Sequence, residues 1–167
     1  MSDLSARERL QPALLDRLTD DAPQNRDEPM DRQALTMAQL RTAVLRDLGW
    51  LLNTCSLATT EDLSAFPLAA RSTLNFGVTG FTGRSHQGGH TAGMETAITQ
   101  AIANFEPRIG RETIKVSTRV GGENGFVLRF EIHGELWAKP IPVQVFLETA
   151  IDLETRSAVL SDRGAGA

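Results

Sequence analysis

The sequence predicts an α+β fold, with two main helices packed on one face of a small antiparallel β-sheet and an N-terminal helical arm. Two stretches, Thr36 to Asn53 and Thr91 to Phe105, carry apolar residues at spacings of one, three and four, the pattern of a helix with one buried face. After Glu106-Pro107-Arg108 the apolar period drops from near 3.6 to 2, the mark of half-buried strands. Helices first and a meander afterwards place the helices together on one side of the sheet.

The 167 residues, 41% hydrophobic and 23% charged, suffice for one domain with an appendage. Residues 1–31 hold eight acids against four arginines, so the whole net charge of −4 falls there and the remainder is balanced. No basic stripe marks the chain, which argues against nucleic acid as a partner. The opening MSDLSARERLQP has charges of both signs, and no apolar run approaches the roughly 18 residues of a membrane span. These features predict a cytoplasmic protein without membrane insertion. Cys55 is the single cysteine, so no intrachain disulfide forms, and it is expected to be a small buried hydrophobe.

Residues 5–19 read as a short amphipathic helix with Leu10, Leu14, Leu15 and Leu18 on one face, docking on its own domain or on a neighbour. The acid- and proline-bearing stretch Asp20 to Ala34 has little to bury and reads as a linker. The arm and linker thus span 1–34, the main domain 35–160, and a disordered tail 161–167. Thr36 and Gln39 have capping-box spacing, and Leu40, Val44, Leu45, Leu48, Leu51 and Leu52 form the buried face of the first long helix. Gly49 inside that helix suggests close packing against it, and Trp50 is expected in the core.

From Ser56 to Gly93 the periodicity fails, and Pro67 with the glycines from Gly77 onward predicts turns and loops. Ala69 to Asn75 reads as a brief helical turn or strand. His86 and His90 form H-x-x-x-H, but the intervening Gln87-Gly88-Gly89 supplies no zinc-protease glutamate, so no metal site is assigned. Neither glycine-rich phosphate motif is present, and no cofactor is assigned. Thr91 is the expected N-cap of the second long helix, which turns Met94, Ala97, Ile98, Ala101, Ile102 and Phe105 inward.

Pro107 cannot continue that helix and pushes Glu106 towards an extended conformation, so the chain must turn there. Arg108 is expected beside the helix's last carbonyls, where a cation is favoured, and Glu106, at the unfavourable end, needs a cationic partner. The Glu-Pro-Arg triplet is either a helix terminus with two solvated charges or a preorganised pair that engages another chain. Beyond it, Ile114 to Val120 and Phe126 to Ile132 alternate as a hairpin around Gly121–Gly125. Val143 to Leu153 and Ser157 to Leu160 complete the sheet.

Several segments resemble the type VI secretion baseplate subunit family TssE, related to a wedge protein of contractile phage tails. They are Leu14 to Asp20, Val44 to Thr54, Ser72 to Gly77, Phe105 to Ile109 and Gly134 to Trp137, in family order over nearly the whole chain. Val78 to Gly93 departs from the family pattern, and nothing is carried over to it. The resemblance implies a structural subunit that joins TssF- and TssG-type proteins in a baseplate wedge and starts assembly of the TssB/TssC contractile sheath. It implies a cytoplasmic location at the inner-membrane-associated baseplate of a Gram-negative bacterium. It also makes Glu106, Pro107 and Arg108 the assembly motif; Leu14, Leu15 and Leu18 are the second expected partner-binding set. The alternative is a lysozyme-like peptidoglycan hydrolase, which needs two cooperating carboxyls. Glu106 beside Arg108 has no evident second carboxylate, and no Ser/His/Asp arrangement stands out, so no catalytic residue is assigned.

Overall fold

The computed structural model describes residues 13–19, 23–24, 36–79, 89–119, 127–137, 143–152, 155 and 157–163. The linker apart from Pro23 and Gln24, His86, and the Gly121–Gly125 turn lie outside them. The helices are α1 (Leu14–Leu18), α2 (Met37–Leu52), α3 (Pro67–Ala70) and α4 (Gly89–Phe105). Helix α2 starts on the predicted capping box: Gln39 N–H donates to Thr36 Oγ1 and Thr36 N–H donates to Gln39 Oε1, at 3.3 and 2.9 Å. Such a cap contributes about 1 kcal/mol. The predicted stripe is buried at Leu40, Val44, Leu48, Leu51 and Leu52, where Ala43 joins it, and half-buried at Leu45. In α4, Ile98, Ala101 and Ile102 are buried, with Met94, Ala97 and Phe105 packed around them.

Strands β1 (Lys115–Arg119), β2 (Val127–Leu136), β3 (Val143–Asp152) and β4 (Ser157–Asp162) form one antiparallel sheet in the order β1-β2-β3-β4. Alternation sends Phe130, Ile132 and Leu136 of β2 and Val145, Leu147 and Ile151 of β3 into the core. Helix α4 lies against β1 and α2 against β4, so both long helices cover one sheet face as predicted. Each helix also caps a sheet edge. Glu95 Oε1 accepts from the Thr118 N–H at 2.6 Å, and the Asn53 side chain bonds both backbone groups of Ala158 at 2.9 Å. Unpaired strand edges invite unwanted pairing, and these side chains blunt both.

Several expectations are corrected. A Cβ at Gly49 would meet nothing within 4 Å, so no neighbour packs closely there. Trp50 stands 50% exposed, on the flank of α2 rather than under it, with the Arg46 guanidinium 4.9 Å from its ring. Cys55 is exposed, because α2 has ended and its backbone now bridges to Val78. Helix α4 begins at Gly89, ahead of Thr91. Strand β4 runs to Asp162, which pairs with Leu147, so the tail cannot begin at 161. The described part of the predicted 5–19 helix is the single short α1.

Candidate functional site: a buried ionic bend

The bend after α4 is built from the backbone outwards. Glu106 N–H still donates to Ile102 O, the last helical bond, and Ile109 N–H donates back to Glu106 O at 3.2 Å across Pro107. The next residues are pinned to the end of β2: Trp137 N–H donates to Arg108 O at 2.8 Å and Gly110 N–H to Glu135 O at 2.9 Å. Ile109 reaches so close that a Cβ on Gly134 would lie 2.7 Å from its Cγ2, which explains a glycine in the middle of a strand. Thr113 Oγ1 closes the corner by donating to Gly110 O and accepting from Glu135 N–H.

On this frame Glu106 is 3% exposed, a buried carboxylate that must be paired. Arg108 pairs it as a fork: Nε donates to Glu106 Oε1 at 2.6 Å and Nη2 to Oε2 at 2.5 Å. The Arg108 backbone N–H adds a bond to Oε1 at 3.1 Å. Nη2 also donates to Asp47 Oδ2 at 2.5 Å, tying the bend to α2. Burial pulls the Arg108 pKa down, but hydrogen bonds and charge from Glu106, then Asp47, outweigh it, and the pKa ends raised. The predicted cation at the end of α4 is not Arg108 but Arg111, whose Nε donates to Ala103 O at 2.8 Å. Arg108 is drawn away by its two carboxylates.

The chain of charges continues to the arm. Arg46 Nε donates to Asp47 Oδ1 at 2.9 Å and Nη1 to Asp16 Oδ1 at 2.6 Å. The bonds to Asp16 and then to Asp47 raise the Arg46 pKa. Glu106, Arg108, Asp47, Arg46 and Asp16 therefore form one alternating series from the bend to α1. Sequence reasoning singled out only the first two. The signal for Arg46 and Asp47 was a charged dipeptide inside the otherwise apolar run Val44 to Leu52, and Asp16 had none.

The segments that carry the family resemblance meet here. Phe76 packs edge-on against Phe105 with centroids 5.4 Å apart, and Gly77, at φ 123°, lies against Thr54, where a Cβ would sit 2.4 Å from its carbonyl oxygen. Between the bend and the arm a groove of about 480 Å³ opens, floored by Leu48 and Leu51 and walled by Leu15, Trp50, Phe105 and Pro107. A model of the baseplate wedge protein gp25 family matches residues 38–141. The chain belongs to that family. No curated protein and no solved structure matches it. The family is one of structural baseplate components, so the coarse role of this chain is structural.

The bend has the second carboxylate that the sequence hid, in Asp47, but not the chemistry of a glycosidase. Both Glu106 oxygens accept from Arg108, and the side chain is sealed from solvent, so it has no route to a glycosidic oxygen. Among the described residues no cluster of His, Cys, Asp and Glu could hold a metal. No described helix is long and apolar enough to cross a membrane. Of the expected partner-binding set, Pro107 is exposed and Leu14, Leu15 and Leu18 are 71%, 47% and 74% exposed. Glu106 and Arg108 instead face inward on each other.

Proposed function

We propose that this chain is the TssE-type subunit of a type VI secretion baseplate. In this reading it joins TssF- and TssG-type proteins in the wedge and offers the surface on which the TssB/TssC sheath begins. Its place is the cytoplasmic side of the inner membrane, at the assembled baseplate of a Gram-negative bacterium. Membership of the wedge family supports the role, and the order of the shared segments supports the type VI branch.

One observation carries the reading: the Glu106–Arg108–Asp47 clamp spends its charges internally and holds Pro107 outward at the lip of an apolar groove. The acid and base thus shape the docking surface; they need not touch the partner. Co-expression with the TssF- and TssG-type proteins of the same genome tests this. Wild type co-purifies with them, whereas Arg108→Lys, which keeps the charge but loses the fork, is recovered at a small fraction of wild-type yield. Its melting transition, measured in parallel, shows whether it remains folded. Equal recovery of folded Arg108→Lys would refute the role of the bend, and failure of wild type to co-purify would refute the assignment itself.

A further inference from the structure

Asp16 lies 30 residues from Arg46 and Arg108 lies 61 from Asp47, yet one ionic series connects arm and bend through these two residues of α2. Helix α1 has no buried residue, and its described attachments are the Asp16–Arg46 contact at 2.6 Å and the margin of the groove, which Ala13 and Leu15 line. A helix this short is not stable by itself, so what holds it in place is the contact with α2. An arm that blocked the groove would fill it. This one leaves about 480 Å³ open and stands as a wall, with Leu14 and Leu18 turned outward beside it.

Resting on the assembly role proposed above, we infer that arm and bend form a single partner-binding surface, and that Asp16, Arg46 and Asp47 are the positioning residues that join its halves. The occupant is an uncharged apolar segment of one wedge partner, seated in the groove and running over Leu14 and Leu18. The charges around the groove favour such an occupant. Arg46 and Arg108 each already face two carboxylates from this chain, and the one Arg108 nitrogen without a partner, Nη1, is itself sealed from solvent, so a charged segment gains little there, while Leu15, Trp50, Phe105 and Pro107 offer apolar surface. Arg46 is shared by Asp16, Asp47 and the face of Trp50, so releasing Asp16 disturbs the groove wall as well as the arm.

Two measurements test this. The chain has two tryptophans, so Trp137→Phe labelled with 5-fluorotryptophan leaves Trp50 as the sole fluorine reporter. In the free chain, Asp16→Asn shifts that resonance while the melting transition stays at the wild-type temperature; an unmoved resonance overturns the arm contact. Affinity for purified TssF/TssG-type complex is then measured for Asp16→Asn, for Leu14→Ser/Leu18→Ser, for Arg108→Lys and for their combinations. Each arm variant loses about tenfold, and combining it with Arg108→Lys costs less than the product of the separate losses, the signature of coupled sites. Arm variants that bind like wild type while Arg108→Lys does not would overturn this inference and leave the assembly role standing. Losses that multiply independently would show two separate surfaces. If wild type does not bind the complex, the assembly role falls and this inference with it.

Discussion

Two arginine–carboxylate clusters in this molecule use the same chemistry to different ends. At the bend, Arg108 is 20% exposed and its partner Glu106 3%, and both sit on backbone pinned to α4 and β2. On the outer sheet face, Arg119 and Arg163 flank Glu131 at 3.1 and 3.3 Å, with Arg163 also on Glu148 at 2.7 Å. There the arginines are 48% and 50% exposed, water competes for every bond, and long side chains must be ordered to make them. The comparison teaches that an ion pair matters structurally when the backbone has already placed its members and excluded water from one of them. Residue type alone does not decide it.

The largest expected effect comes from breaking the bend. Arg108→Ala leaves Glu106 buried with one backbone N–H as its remaining described donor, and a broken buried pair costs about 3 kcal/mol or more. Urea denaturation gives the value, and a loss below about 1 kcal/mol would put the bend in the same class as the sheet-face cluster. Next is Gly77→Ala. The residue holds φ 123°, and an added Cβ would meet the Thr54 carbonyl oxygen at 2.4 Å, a backbone atom that cannot swing aside. A loss of roughly 1–3 kcal/mol follows from the strained backbone alone. If Gly77→Ala melts like wild type, the close approach of Gly77 to Thr54 yields at no cost and the frame beside the bend is not rigid.

The sequence made the frame legible and hid what completes it. Periodicity located α2, α4 and the strands because each buries one face, and the Thr36/Gln39 spacing marked the start of α2 almost to the residue. Pro107 betrayed the bend, since a proline after an apolar helix must turn the chain. Asp47 could not be found this way: it lies 61 residues from Arg108, and no local pattern encodes a pairing made by the packing of α2 beside α4. Trp50 and Cys55 were misplaced for a related reason. An apolar side chain on the flank of a helical stripe, or just past its end, is assigned to the core by hydrophobicity and to the surface by geometry.

A smaller effect is expected where the clamp joins the arm. Arg46→Gln removes the contact with Asp16 and one of the two described cations on Asp47, yet α1 buries nothing and Arg46 itself is 36% exposed. The stability change should stay below about 1 kcal/mol. Chemical denaturation of Arg46→Gln beside Arg108→Ala sharpens the comparison within one series: neighbouring arginines, with burial as the main difference. A loss from Arg46→Gln as large as that from Arg108→Ala would mean that the arm is an integral part of the domain.

The smallest effect belongs to Arg163→Ala on the sheet face. Its guanidinium bonds Glu148 and Glu131; Glu131 keeps Arg119 at 3.1 Å after the change, and Glu148, 19% exposed against 3% for Glu106, still reaches water. The backbone N–H of Arg163 still donates to Phe146 O, which keeps the end of β4 attached to β3 whatever the side chain. Stability should therefore fall by no more than about 0.5 kcal/mol at low salt. Around 1 M salt the Debye length shrinks to about 3 Å, and what remains of that loss should vanish. The loss from Arg108→Ala should survive the same titration, because the mobile ions that screen Glu131 cannot enter around Glu106. A salt response of equal size at the two arginines would show that water reaches both clusters alike, and that the difference in burial has no energetic consequence.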